Sequence, residues 1–181
     1  SPATAIPDTD ALLTQDTGVV LMALSADCPL LLCYDPVKNV IGTIHASWKG
    51  MIRGIIPKTI NEMKQRFKSE PRDIMVGIAP SIGPCCYEVK NDFIKRMNEY
   101  HVLTKGFIQE RNNKTYFDLW SMAYNELIRA GLKPGHIEVA RMCTSCQPDY
   151  FYSYRRTGGN TGRFCALIYT KYIKDETNSC S

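Results

Sequence analysis

The chain has 181 residues, 44% hydrophobic and 22% charged, an ordinary globular mixture that excludes collagen, coiled coil and disorder. Its net charge of +4, from 22 Lys and Arg against 18 Asp and Glu, is scattered without a run of five like charges, so no nucleic-acid partner is expected. The longest apolar run, Gly18–Leu24, falls far short of the ~18 residues that a membrane helix needs, so no membrane partner is expected either.

The first sixteen residues, rich in Pro, Asp and Thr, read as an extended lead-in with Asp8 and Asp10 near a turn. Gly18–Leu24 and Leu30–Tyr34 read as apolar strands, and Val40–His45 as the strand that returns after the turn Asp35–Asn39. From Trp48 to Phe67 apolar residues recur at helical spacing, with Pro57 predicting a kink or a late start. Asp73–Ile78 is a further core strand and Asn91–Tyr100 a helix. Asp118 is placed to cap a helix that runs to Ala130 and stops at Gly131, with Leu119, Met122, Ala123 and Leu127 on one face. His136–Ala140 and Phe164–Ile173 close the series as strands. Hairpins mixed with helices predict an α+β (α/β mixed) fold, a mixed β-sheet core flanked by helices, in one domain over residues 1–181.

Eight cysteines stand at positions 28, 33, 85, 86, 143, 146, 165 and 180. Cys28, Cys33 and Cys165 lie in apolar stretches and read as core, the neighbours Cys85 and Cys86 suit no disulfide framework, and no signal peptide is visible. A reducing, cytoplasmic compartment is expected. The chain opens on Ser1-Pro2-Ala3 rather than Met, as a processed or partial polypeptide does.

Of three histidines, His101 and His136 read as ordinary surface or core residues; His45 stands apart. If Pro36-Val37 is the hairpin tip, Asp35 pairs with Lys38 and, carried along the strands, Cys28 faces His45. Directly opposed Cβ atoms lie about 4.5–5.5 Å apart, close enough for a shared metal ion or a thiolate–imidazole dyad. Two ordinary strand-end residues would look the same. Cys143-Thr144-Ser145-Cys146 is a Cys-x-x-Cys with no second matching pair along the chain, so structural thiols without metal are expected. The loop from Gly77 to Pro84 offers amides for an anion, and Arg155 and Arg156 offer forks for phosphate.

Ala26-Asp27-Cys28-Pro29, His45-Ala46-Ser47-Trp48-Lys49-Gly50, Gly83-Pro84-Cys85-Cys86-Tyr87-Glu88-Val89, Cys143-Thr144 and Phe151-Tyr152-Ser153-Tyr154-Arg155-Arg156 follow one another in order. The series resembles the laccase-domain family, also called polyphenol oxidase or broad-specificity purine nucleoside phosphorylase proteins. The resemblance implies a zinc or copper ion held by two His and one Cys. It implies phosphorolysis of adenosine, inosine, guanosine and methylthioadenosine, adenosine deamination, and copper-dependent polyphenol oxidase (laccase) activity. Carried over by motif, the Cys ligand falls on Cys28 and a His ligand on His45, which are also the expected catalytic residues; Lys49, Arg155 and Arg156 are expected to bind substrate or phosphate. The expected partners are a small nucleoside and phosphate, or a phenol. The family's other histidine ligand belongs to an upstream motif, so the chain is expected to lack the N-terminal part of the domain and with it one ligand. Ser47 stands where Gly is usual and Lys49 where Arg is usual; Lys keeps the charge but loses the fork. Two alternatives stay open: a thiol hydrolase with Cys28 as nucleophile and His45 as base, and a non-enzymatic binding domain.

Overall fold

Asp35 sets the corner on which the central hairpin depends. Its Oδ1 accepts the amide N–H of Val37 at 2.8 Å and of Lys38 at 3.0 Å, and Asn39 adopts a left-handed φ of 53°. The turn therefore spans four residues, Pro36–Asn39, and Asp35 pairs with Val40 instead of Lys38.

The computed structural model describes residues 4–100 and 105–171; His101, Cys180 and the end of the predicted strand Phe164–Ile173 lie outside them. In chain order come β1 (Ala11–Thr14), β2 (Val20–Ser25), β3 (Leu30–Asp35), β4 (Val40–His45), α1 (Trp48–Ile52) and α2 (Ile55–Phe67). They are followed by β5 (Met75–Ile78), β6 (Glu88–Val89), α3 (Asn91–Glu99), β7 (Ile108–Arg111) and β8 (Lys114–Phe117). Last are α4 (Leu119–Arg129), β9 (Ile137–Val139), α5 (Tyr154–Thr157) and β10 (Phe164–Tyr169). The expected α+β class with mixed sheets holds.

The main sheet runs β1-β4-β3-β5-β9, antiparallel except for the parallel pair β5–β9. β1, which forms within the predicted lead-in, is one edge and β9 the other. Helices α2 and α4 pack on each other, α2 against β4 and α4 against β9. Ile56, Ile60 and Met63 of α2 and Met122, Ala123 and Leu127 of α4 join Leu31, Ile44, Val76 and Ile78 in one apolar core. A ribbon of β2 and β10 packs against β3 and β4.

The predicted helix over 48–67 is two helices. Gly54, at φ 77°, breaks the chain between them, and Pro57 sits in the first turn of α2, where its missing N–H leaves no bond unmade. Asp118 caps α4 as expected, accepting from the Ser121 amide at 3.0 Å, and the four predicted apolar residues are buried. The ribbon departs from expectation. Val20, Met22 and Leu24 alternate outward at 55%, 45% and 52% exposure, and Cys165, paired with Leu24, is exposed with them rather than in the core. The third sheet, β6-β8-β7, has no counterpart in the sequence reading; Asn112 and Asn113, both left-handed, make its two-residue hairpin turn.

Helix α4 also carries a titrating group. Burial pushes the Glu126 carboxyl from 4.5 to about 7, against a lesser pull from Arg129, and its Oε2 has no partner. A raised folded-state value means that the folded chain holds a proton which the unfolded chain has released. This contribution to stability is complete below about pH 4.5 and is lost as the pH rises through 7. Glu126→Gln is therefore expected to stabilise the fold by about 1–3 kcal/mol near pH 8.5 and to change little near pH 4.5, read by urea unfolding at both. An equal effect at both pH values would remove the carboxylate as the cause.

Candidate functional site

Because the tip has four residues, Leu30 stands opposite His45, and Cys28 lies two residues beyond the end of the ladder. This corrects the direct Cys28–His45 pairing: the Asp35 side chain widened the turn and moved the register by two. A shift of two leaves the alternation of faces intact. Cys28 and His45 consequently line one cleft, placed diagonally rather than face to face, with Trp48, Tyr87, Arg155 and Arg163 around them.

His45 is oriented by Asp10, the residue just before β1. Its Nδ1 lies 2.9 Å from Asp10 Oδ1, and its amide donates to the Asp10 carbonyl at 2.7 Å. A carboxylate only accepts, so Nδ1 is the donor here, and Nε2 is the ring nitrogen left to face a ligand. Cys28 is half-buried. Burial, with the carboxylates of Asp27 and Asp10 adding, pushes its thiol up to about 11. It is a neutral thiol at pH 7 and a poor nucleophile, which weighs against the Cys-His hydrolase; a cation at the sulfur would reverse the shift.

Asp27 joins the segments around the cleft. It is 8% exposed and holds a strained φ of 103°. Its Oδ1 accepts the Thr144 hydroxyl at 2.7 Å, its Oδ2 the Arg155 amide at 2.7 Å, and its carbonyl the Ile82 amide at 2.9 Å. Arg155 in turn donates to the Glu88 carbonyl at 2.7 Å and lies 5.0 Å from the centre of the Tyr87 ring. Burial raises the Tyr87 phenol well above its usual range, with Arg155 opposing. Arg155 also borders a second, larger cleft of about 690 Å³, where Lys49, Lys90 and Arg96 add positive charge.

Arg156 is placed differently. Its guanidinium donates to the carbonyls of Thr144, Ser145 and Phe151, so it braces the loop that precedes α5. The loop from Gly77 to Pro84 offers no open anion cradle. The Ser81 amide goes to Met142, the Ile82 amide to Asp27 and the Gly83 amide to the Cys143 sulfur, while Ser81 Oγ accepts from Trp120. Asp10, Asp27, Tyr87 and Arg163 are site residues that the sequence reading did not assign. The position of Asp27 beside Cys28 was the available signal; nothing local marks Arg163.

Cys28 and His45 offer one sulfur and one nitrogen, donors that suit zinc or copper in kind, and Asp10 supplies the customary carboxylate behind the imidazole. Two donors are fewer than the three protein ligands of a catalytic zinc. Among the described residues, the one group of three or more potential ligand atoms lying within 4.8 Å of each other is elsewhere: Cys85, Cys86, Cys143 and Cys146. The Cys-x-x-Cys thus has a matching pair, the adjacent Cys85 and Cys86, because a parallel bridge between Ser81 and Cys143 lays the two loops side by side. Separations of 57 to 61 residues hid that pairing from the sequence.

Residues 1–171 match the family described as multi-copper polyphenol oxidoreductase laccase. A protein of Geobacillus stearothermophilus named purine nucleoside phosphorylase YlmD is 34% identical over 168 residues, 92% of this chain and 61% of the relative. A human protein named purine nucleoside phosphorylase LACC1 is 32% identical over 91% of this chain and 39% of its own length. The crystal structure of YlmD from Geobacillus stearothermophilus superposes with a TM-score of 0.85 at 34% identity, covering 93% of this chain and 63% of that one. A Bacillus licheniformis structure titled hypothetical protein YfiH gives 0.84 at 34% identity, covering 90% and 62%. The chain thus spans about three-fifths of the length of these bacterial relatives.

Proposed function

The chain belongs to the multi-copper polyphenol oxidoreductase laccase family, and from that premise we propose that it serves purine nucleoside phosphorolysis at the Cys28–His45 cleft. The observation that carries the reading is His45 held through Nδ1 by Asp10, in one cleft with Cys28 and Arg155. Asp10 fixes the imidazole so that Nε2 and the Cys28 sulfur are free to hold zinc or copper. Arg155 holds phosphate, with Lys49 adding charge from the adjoining cleft that Arg155 also borders, and Trp48 and Tyr87 offer flat faces to a purine. Arg156 positions the Arg155 loop. When bound, the ion supplies Lewis-acid polarisation of an oxygen. The third metal ligand is a histidine from the N-terminal part of the family domain, which residues 1–181 do not supply. Adenosine, inosine, guanosine and methylthioadenosine are the proposed substrates, in a reducing cytoplasm; adenosine deamination and phenol oxidation are further activities of the same cleft.

The test is phosphate-dependent release of hypoxanthine from inosine. Residues 1–181 alone are expected to bind zinc weakly at this cleft and to turn over little. A polypeptide extended by an upstream histidine-bearing segment is expected to turn over, Cys28→Ala in it to abolish activity, and Asp10→Asn to cost about 10–100-fold. Full activity of the short chain would remove the three-ligand reading. Absence of turnover in the metal-loaded extended form would remove the phosphorylase reading.

A further inference from the structure

We propose that Cys85, Cys86, Cys143 and Cys146 form a second metal site, a closed tetrathiolate that holds one zinc-class divalent ion and clamps the loop that leads into Tyr87 to the loop that carries Thr144. The inference stands apart from the proposed activity and does not depend on it.

The geometry suits a single ion. All four sulfurs lie within 4.8 Å of one another, and Cys146 Sγ is 3.6 Å from Cys85 Sγ and 3.4 Å from Cys86 Sγ. Four sulfurs about 2.3 Å from a central zinc stand roughly 3.8 Å apart along each tetrahedral edge. An iron–sulfur cluster puts sulfide and further irons between its ligands, which spreads some thiolate pairs beyond this span. One disulfide to Cys146 would leave two sulfurs of the group unexplained. All four are free thiols.

The loops are built to present sulfur. Gly83 opens the turn that carries Cys85 and Cys86; a Cβ there would stand 2.6 Å from the Trp120 ring and 3.2 Å from Cys85 Sγ, so only glycine lets the turn seat. The Gly83 amide donates to Cys143 Sγ at 3.3 Å, as backbone amides do to a metal-bound thiolate, and Cys146 returns to the Cys143 carbonyl at 3.2 Å. Four thiolates around one divalent ion carry a net charge of −2. Two arginines bracket it: Arg111 donates to the carbonyls of Pro84 and Cys85 at 3.0 Å each, and Arg156 to those of Thr144 and Ser145 at 2.8 and 3.2 Å.

The clamp acts on the cleft through its neighbours in sequence. One loop continues into Tyr87 and Glu88, which meet Arg155, and the other holds Thr144, which meets Asp27. Joining the loops through an ion fixes both contacts at once.

The test uses the full chain carrying Cys28→Ala, so that the first site is silent, with the thiols reduced and the metal removed. Cobalt(II) is expected to bind at one equivalent with the visible absorption of a tetrahedral tetrathiolate. Zinc is expected to displace it and, at about 100 times its Kd, to raise Tm by roughly 5–10 °C. Cys146→Ser is expected to lose both the cobalt spectrum and the zinc-dependent rise, while Cys165→Ser keeps them. Should Cys146→Ser fail to fold, zinc protection of four thiols per chain from alkylation in the parent decides instead. Absence of cobalt binding, iron with labile sulfide in the isolated protein, or a Cys85–Cys146 or Cys86–Cys146 disulfide without metal would each overturn the proposal.

Discussion

Replacing Asp27 with alanine is expected to destabilise the chain by about 3–5 kcal/mol, measured by urea unfolding, because two charge-assisted hydrogen bonds vanish and the Thr144 hydroxyl is left buried without a partner. The φ of 103° adds to the loss, since alanine tolerates that region worse than aspartate does. Asp27→Asn keeps an acceptor and a tolerant backbone, so a smaller cost of about 1–2 kcal/mol is expected. In a form with turnover, release of the Thr144 and Arg155 segments should lower kcat/KM by about 100-fold, as small displacements of positioned groups do. A loss below about 1 kcal/mol in the alanine variant would show that this carboxylate does not tie the loops together.

Phe93→Ala is expected to cost about 3–5 kcal/mol, the range for removing a large buried ring. Phe93 is the hub of an aromatic cluster: its ring centre lies 4.9 Å from Trp48, 5.9 Å from Tyr87 and 5.0 Å from Phe117. Trp48 and Tyr87 line both clefts, so the cavity left behind lets both walls relax. In the turning-over form KM for the nucleoside should rise more than kcat falls. Phe93→Leu, which keeps most of the volume, should cost less than about 2 kcal/mol and restore KM. Equal activity losses in the two variants would mean that the ring acts in some way other than by filling space.

Helix α4 was readable because everything that makes it is local: a capping Asp118, apolar residues at helical spacing and Gly131 at φ 97° as the stop. The break before α2 was half readable; Pro57 announced a discontinuity, but the left-handed Gly54 located it. The hairpin shows the limit. A turn was certain from Asp35-Pro36, yet its length rested on which amides the Asp35 carboxylate accepts, and two residues of difference turned the Cys28–His45 pairing from direct to diagonal. β7 and β8 have no signature in the sequence because four residues each are too few to show a pattern: β7 is mostly exposed, and only Phe117 of β8 is buried.

By itself, then, the sequence determined the α+β class, the capped helix, the hairpin and, through ordered short motifs, the family; Cys28, His45, Lys49, Arg155 and Arg156 are its candidates for the site. These depend on neighbours along the chain or on motifs that survive as written text. The tertiary structure alone decided that Asp10 stands behind His45, that Asp27 reaches Thr144 across 117 residues, and that Cys85 and Cys86 meet Cys143 and Cys146. Such contacts arise where loops from distant strand ends converge. Their partners are set by sheet order and register, by the parallel pair β5–β9 and the bridge at Ser81 above all, and no local propensity encodes which two loops will lie side by side.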